Sequence, residues 1–261
     1  MPNLDIEYPK KPSKYSQEEW EARVNLAACY RLTDYYGWTS TVYNHITLRV
    51  PDTDTFLING FGLNYNEICA SNLVLVDLDG NKLSDDDFPI NKAGFIIHSA
   101  IHQARPKDLH CVMHSHEVNS QTLAASKSKL IPLTQEGCQL YERVGYHEFN
   151  GIVLNDEEKE KLINAIGNEK HTLLMRNHGL ITAGPTAAWA FIRHQHFIRN
   201  AEVQLKLMAS NAEMSIISDN ILKHTREQFE GGSAQAGAKV RHPEWPAFWR
   251  LLDKLDEKWK H

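Results

Sequence analysis

Leu109-His110-Cys111-Val112-Met113-His114-Ser115-His116 is the stretch on which the reading of this chain turns. It reads as a β-strand, and successive side chains of a strand point to opposite faces. One face then carries His110, Val112, His114 and His116, the other Cys111, Met113 and Ser115. Toward the N-terminus the spacing predicts a helix over residues 92–104, ended by Arg105-Pro106. Before it come a strand over 73–77 running into an Asp79-Gly80 hairpin turn, a short strand over 55–58 followed by Asn59-Gly60-Phe61-Gly62, and a β-branched strand over 41–50. Ser16 and Glu19 fit a capping box that opens a helix bearing Trp20, Val24, Ala27 and Ala28, with Gly37 as its terminator.

Toward the C-terminus a short helix is expected over 119–125, then a strand over 151–154, and a helix capped by Asn155 with Glu158 as its third residue. A strand over 172–176 meets the polar break Asn177-His178-Gly179 and continues over 180–183. Gly184-Pro185 interrupts the chain, and a long helix starting near Pro185 runs to about Ser210. Residues 231–238, GGSAQAGA, read as a small-residue linker. A final amphipathic helix is expected over 246–260, with Phe248, Trp249, Leu252 and Leu255 as its apolar stripe. Strands and helices interleave with several hairpin signals, which points to an α/β or α+β class with a mixed or antiparallel sheet. The simplest partition is an arm over 1–15, one domain over 16–215 and a helical extension over 216–261.

The 261 residues suit one large domain, and 42% hydrophobic against 23% charged residues is a globular balance. A net charge of −5 argues against a broad nucleic-acid footprint. No apolar run is long enough for a membrane span, and residues 1–14 lack the apolar core of a secretory signal. The four cysteines form no C-x-x-C pair, so the expectation is reduced thiols in a cytoplasmic protein. G-x-G-x-x-G and P-loop patterns are absent, and His116-Glu117 does not open a zincin motif because residue 120 is Ser.

Fourteen histidines remain to be sorted. His114 and His116 share a strand face and can chelate one ion, although the same spacing on a solvated sheet face carries none. His178 sits at the polar break and supplies a third imidazole, giving a His₃ set with an open position; its alternative is a turn residue bonded to backbone. His98 and His102 are four apart on a helix; the expectation is that one lines the core and the other faces solvent. His194 and His196 are two apart on a helix and cannot share an ion. His45, His147, His171, His224, His242 and His261 are expected in loops or on the surface.

Six motifs in order carry a family resemblance. They are Tyr43-Asn44-His45-Ile46-Thr47, Ile58-Asn59-Gly60-Phe61-Gly62-Leu63, Ala70-Ser71-Asn72-Leu73-Val74, His98 to His102 with Ala104-Arg105-Pro106, His114-Ser115-His116, and Arg176-Asn177-His178-Gly179-Leu180. From about Trp20 to Gly184 the chain resembles the class II aldolase/adducin head domain family. His242-Pro243-Glu244-Trp245-Pro246-Ala247 and the following Leu251-Leu252-Asp253 are similar to what succeeds that domain in the adducin branch.

The resemblance implies a three-layer α/β/α fold on a mostly antiparallel central sheet, and a homotetramer with sites between subunits. It implies His114, His116 and His178 as ligands of a divalent metal, zinc first, with iron and manganese as alternatives. The family's acid/base glutamate falls at Gly94, and its Ser-Ser-Glu run is replaced by Asn91-Lys92-Ala93-Gly94. A lost proton-transfer group costs on the order of 10²–10⁴-fold in rate. The replaced serines also bind phosphate in the family, which argues against a sugar-phosphate substrate. Lys92 could meet a substrate carboxylate, and Tyr141 lies where the family sometimes supplies a site tyrosine. Asn44, Gly62 and Gly94 are expected to shape the pocket.

The expected activity is that of a metal-dependent carbon–carbon lyase, aldolase or decarboxylase in type, on a small carbonyl or carboxylated substrate. The alternatives are a non-haem iron oxygenase on the same fold and a non-catalytic adducin-like interaction module.

Overall fold

The structure, a computed structural model, describes residues 5–151, 156–235 and 242–261. Seven strands make one sheet among the described residues: β1 (His45–Arg49), β2 (Thr55–Ile58), β3 (Val74–Asp77), β4 (Cys111–Ser115), β5 (Val144–His147), β6 (Thr172–Met175) and β7 (Gly179–Gly184). Their order is β3-β2-β1-β4-β7-β6-β5, and the β5–β6 pair alone is parallel. The helices are α1 (Gln17–Tyr35), α2 (Lys92–Ala104), α3 (Val118–Ala125), α4 (Asp156–Ile166), α5 (Ala187–Ser210), α6 (Asp219–Gln235) and α7 (Trp245–Leu255).

Strand alternation builds the layers. Ile46, Leu48, Cys111, Met113, Leu174 and Leu180 pack with residues of α1, α5 and α7. The intervening Val112, Leu173, Met175, Ile181 and Ala183 pack with Ile97 and Ile101 of α2 and Leu162 and Ile166 of α4. This is the expected α/β/α arrangement on a mostly antiparallel sheet. Each fully buried large apolar side chain contributes about 1.5–3 kcal/mol. Trp245, Trp249, Leu252 and Trp259 of the C-terminal extension belong to the same core as α1, and Tyr8 of the arm meets Trp249 edge-on at 5.2 Å.

Several local expectations are corrected. The polar break at 177–179 is not a kink in one strand but the turn of a hairpin: Met175 pairs with Gly179, and Asn177 takes φ +54°. The strand predicted over 41–50 shortens to β1 because Thr41 turns at φ +47°. Helix α5 starts at Ala187, two residues past Pro185, and Thr186 caps it by accepting from the Trp189 N–H. Only half of the Ser16 capping box is seen: Ser16 accepts from the Glu19 N–H, while the Glu19 carboxylate meets Arg23 Nε at 2.8 Å. Helix α6 runs through residues 231–235, overriding the small-residue linker there; the rest of that linker lies outside the described residues, as do strand residues 152–154 and the Asn155 cap. The last helix stops at Leu255, and Glu257–Lys260 forms a 3₁₀ turn capped by Asp256. Strand β5 and helix α6 were not expected.

Candidate metal centre

The hairpin explains how the three histidines meet. β4 pairs with β7 so that Ser115 lies opposite Leu180, and the β6–β7 turn hangs beside the end of β4. His114, His116 and His178 therefore converge, with one candidate ligand atom from each lying within 4.8 Å of the others. His114 is buried, and His116 and His178 are half-buried. Gly179 permits the approach: a Cβ there would run into the Ser115 carbonyl oxygen and stand 3.1 Å from His116 Cδ2.

The donor atoms are set for a cation. His114 Nδ1 lies 3.0 Å from the Leu180 carbonyl oxygen, which can only accept, so this nitrogen donates and Nε2 keeps its lone pair. That Nε2 faces His116 Nε2 at 2.9 Å. Burial first, then the neighbouring imidazoles, holds His114 well below the usual histidine range. Burial followed by His116 and His147 lowers His178 to about 4, and burial lowers His116. Three neutral imidazoles with facing nitrogens are the donor set of a zinc-type site with an open position, so the residues fit a divalent metal.

A second histidine group stands behind the first. On the α2 side of the sheet, β1 presents His45, Thr47 and Arg49 at alternate positions, and α2 presents Gly94, His98 and His102 at successive turns. His45 lies directly opposite His114 in the β1–β4 register, with ring centroids 5.0 Å apart. His45 Nδ1 is 2.9 Å from His98 Nε2; His98 Nδ1 and His102 Nε2 are each 2.8 Å from Thr47 Oγ1; and His102 Nδ1 is 3.0 Å from the Leu109 carbonyl. His98 and His102 are both fully buried, so the expectation that one faces solvent is overturned: Thr47 gives each a polar partner inside the core. His45, His147, His171 and His242 are also buried rather than at the surface; His242, for example, packs against Trp189 at 4.6 Å. Residues 224 and 261 are exposed as expected.

Gly94 sits against His45. A Cβ at 94 would fall within 3.0 Å of three ring atoms, Cδ2, Nε2 and Cε1. The space a side chain would need at Gly94 is thus occupied by an imidazole. Asn44 is buried, donates to the Trp38 carbonyl at 2.9 Å, and has an Oδ1 with no hydrogen-bond partner among the described residues. Lys92 is exposed at the first position of α2. Gly62 lies in an exposed turn at φ +104°, a conformation that glycine adopts without strain. Tyr141 is not brought to the histidines within this chain. It precedes the end of β5 that pairs with Thr172, whereas His178 follows the Met175 end of β6, and its ring faces Arg226 at 5.9 Å.

Comparison with known proteins gives the family. The profile described as "Class II Aldolase and Adducin N-terminal domain" matches residues 24–205. A protein of Pseudomonas aeruginosa described as "Putative aldolase class 2 protein" is 39% identical over 242 residues, 93% of each chain. Rat alpha-adducin is 35% identical over 92% of this chain, which spans 34% of that protein's length. Among solved structures, an aldolase II superfamily protein from Pseudomonas syringae superposes with a TM-score of 0.85 at 36% identity, covering 95% of this chain and 98% of that one. L-fuculose 1-phosphate aldolase from Glaciozyma antarctica superposes with a TM-score of 0.80 at 28% identity, covering 96% and 97%.

Proposed function

Because the chain belongs to the class II aldolase and adducin N-terminal domain family, we propose that it is a metal-dependent carbon–carbon lyase acting on a small carbonyl or carboxylated substrate. The observation that carries this reading is the meeting of His114, His116 and His178, with donor atoms within 4.8 Å of one another and the His114 tautomer held by the Leu180 carbonyl. These three residues would hold a divalent ion, zinc first. A bound ion supplies Lewis-acid polarisation of a carbonyl oxygen.

The chain's own groups arrange the rest. Lys92, exposed two residues before Gly94, is assigned the recognition of a substrate carboxylate as a point charge. Asn44, with an unpartnered buried Oδ1, is assigned to the pocket wall, with Gly62 at its outer turn. Tyr141 has no part in the site within one subunit. Among the described residues no helix is long and apolar enough to cross a membrane. We place the protein in the cytoplasm, a reading that the buried free thiols of Cys29, Cys111 and Cys138 support, and assign it a homotetramer on the family resemblance alone.

The test is metal analysis of the purified protein, followed by a lyase screen with hydroxyketones and β-hydroxy or β-keto acids. One equivalent of zinc or manganese per chain and release of a carbonyl product or carbon dioxide are expected. A protein that binds no divalent ion refutes the reading. The likeness to alpha-adducin favours a second reading, an interaction module, which predicts that an intact fold binds metal without turnover.

A further inference from the structure

The relay behind the metal centre has a direction. Its far end is the Leu109 carbonyl oxygen, which can only accept, so His102 Nδ1 carries the proton. In these buried, neutral rings the other nitrogen must then accept, and the Thr47 hydroxyl donates to His102 Nε2. Having spent its proton, Thr47 Oγ1 accepts from His98 Nδ1. His98 Nε2 is therefore bare and accepts from His45 Nδ1. One carbonyl thus sets three tautomers in sequence, and the chain ends with His45 Nε2 bare. Among the described residues nothing donates a hydrogen bond to that atom.

The location matters as much as the proton count. The edge of the ring that holds Nε2 lies over Gly94, where a missing Cβ leaves the room it occupies, and the ring face rests on His114. His45 does not join the three-histidine cluster as a fourth member. It stands beside the cluster as an acceptor that cannot switch to being a donor without reversing the whole relay.

We propose that His45 is a substrate-binding residue whose Nε2 accepts a hydrogen bond from a hydroxyl of the ligand held at the His114–His116–His178 centre. The relay through His98, Thr47 and His102 makes that preference one-sided: a ligand hydroxyl or amine is accepted, and a bare carbonyl or ether oxygen in the same place is not. The substrate class is thereby narrowed to hydroxylated carbonyl or carboxylate compounds. This narrowing rests on the lyase reading, whereas the tautomer assignment does not.

Two measurements test it. Neutron diffraction from the protein exchanged into heavy water reads the tautomers directly. Deuterium is expected on Nδ1 of His45, His98 and His102 and absent from Nε2 of His45; deuterium on His45 Nε2 overturns the proposal. The second measurement compares glycolate with acetate by calorimetry on the zinc-loaded protein. Glycolate is expected to bind more tightly. His45→Phe should cut the glycolate-to-acetate ratio by about fivefold, the worth of one hydrogen bond, with zinc stoichiometry unchanged. A ratio unaltered in His45→Phe overturns the proposal, because the hydroxyl preference then comes from the ion alone. Thr47→Val, which removes the central hydroxyl of the relay, should lower the ratio in the same direction. If zinc fails to bind, the lyase reading falls while the neutron result still decides the tautomer.

Discussion

Gly94→Ala is the substitution whose sign most sharply tests the packing of His45 on α2. A glycine inside a helix is normally improved by alanine, by about 0.8–1.0 kcal/mol. At this position the added Cβ would lie within 3.0 Å of three atoms of the His45 ring. Restoring ordinary carbon contacts of about 3.5–4.0 Å requires the ring to move by roughly 1 Å. The ring has nowhere to go at no cost, since His98 holds Nδ1 at 2.9 Å and the His114 ring packs against its face. Breaking the Nδ1 bond leaves a buried polar pair unsatisfied, at about 1–3 kcal/mol, and overpacking strain adds about 1–3 kcal/mol. Against the propensity gain the net is a destabilisation of about 1–5 kcal/mol. The assay is urea unfolding of four proteins: wild type, Gly94→Ala, His45→Ala and the double variant. With His45 truncated the clash disappears, so Gly94→Ala should then stabilise by about 0.5–1 kcal/mol, leaving a coupling energy of at least about 1.5 kcal/mol between the two sites. If Gly94→Ala stabilises the wild type as much as it stabilises His45→Ala, the ring does not occupy that space and the reasoning fails.

His114→Ala should abolish stoichiometric metal binding while the circular dichroism spectrum is kept; retention of one ion per chain would place the site elsewhere. Gly179→Ala should lower metal affinity by about tenfold or more, because the new Cβ meets the Ser115 carbonyl and pushes the hairpin off β4, and a zinc titration against a chromophoric chelator reads the change. Acid should weaken the metal-free protein. Burial lowers His102 and His194 to about 3 and His196 to about 4, so each is neutral in the fold and protonated in the unfolded chain below about 6.5. The unfolded state then binds more protons, and stability falls as pH drops from 6.5 toward 4 and 3, by about 1 kcal/mol per histidine between pH 6.5 and 5.5. A urea midpoint that is flat over that interval would contradict this burial.

The layers and the His114–His116 pair were legible because each rests on short-range pattern, and the resemblance added His178, which the structure brings to the same cluster. Alternation along residues 109–116 separates Cys111 and Met113 from Val112 and His114, and the structure sends these two sets to opposite helix layers. Helix α2 spans the expected residues 92–104 and ends where Arg105-Pro106 placed its end. The His45 group was not legible, for a physical reason. Its partners are 51 to 55 residues apart in the chain, and they meet only because β1 pairs antiparallel to β4 in a register that sets His45 opposite His114. A histidine flanked by Asn44 and Ile46 carries no local mark of that neighbour. The sequence did hold one clue in Gly94, read first as a lost side chain. Glycine within a helix costs stability, and its presence three positions into α2 is explained when the space beside it is filled from another strand. Substitution of a glycine by a larger residue and of His45 by a smaller one should therefore compensate each other. Gly94 and His45 then describe one packing arrangement, in which an imidazole from the sheet fills the space that a side chain on the helix would take.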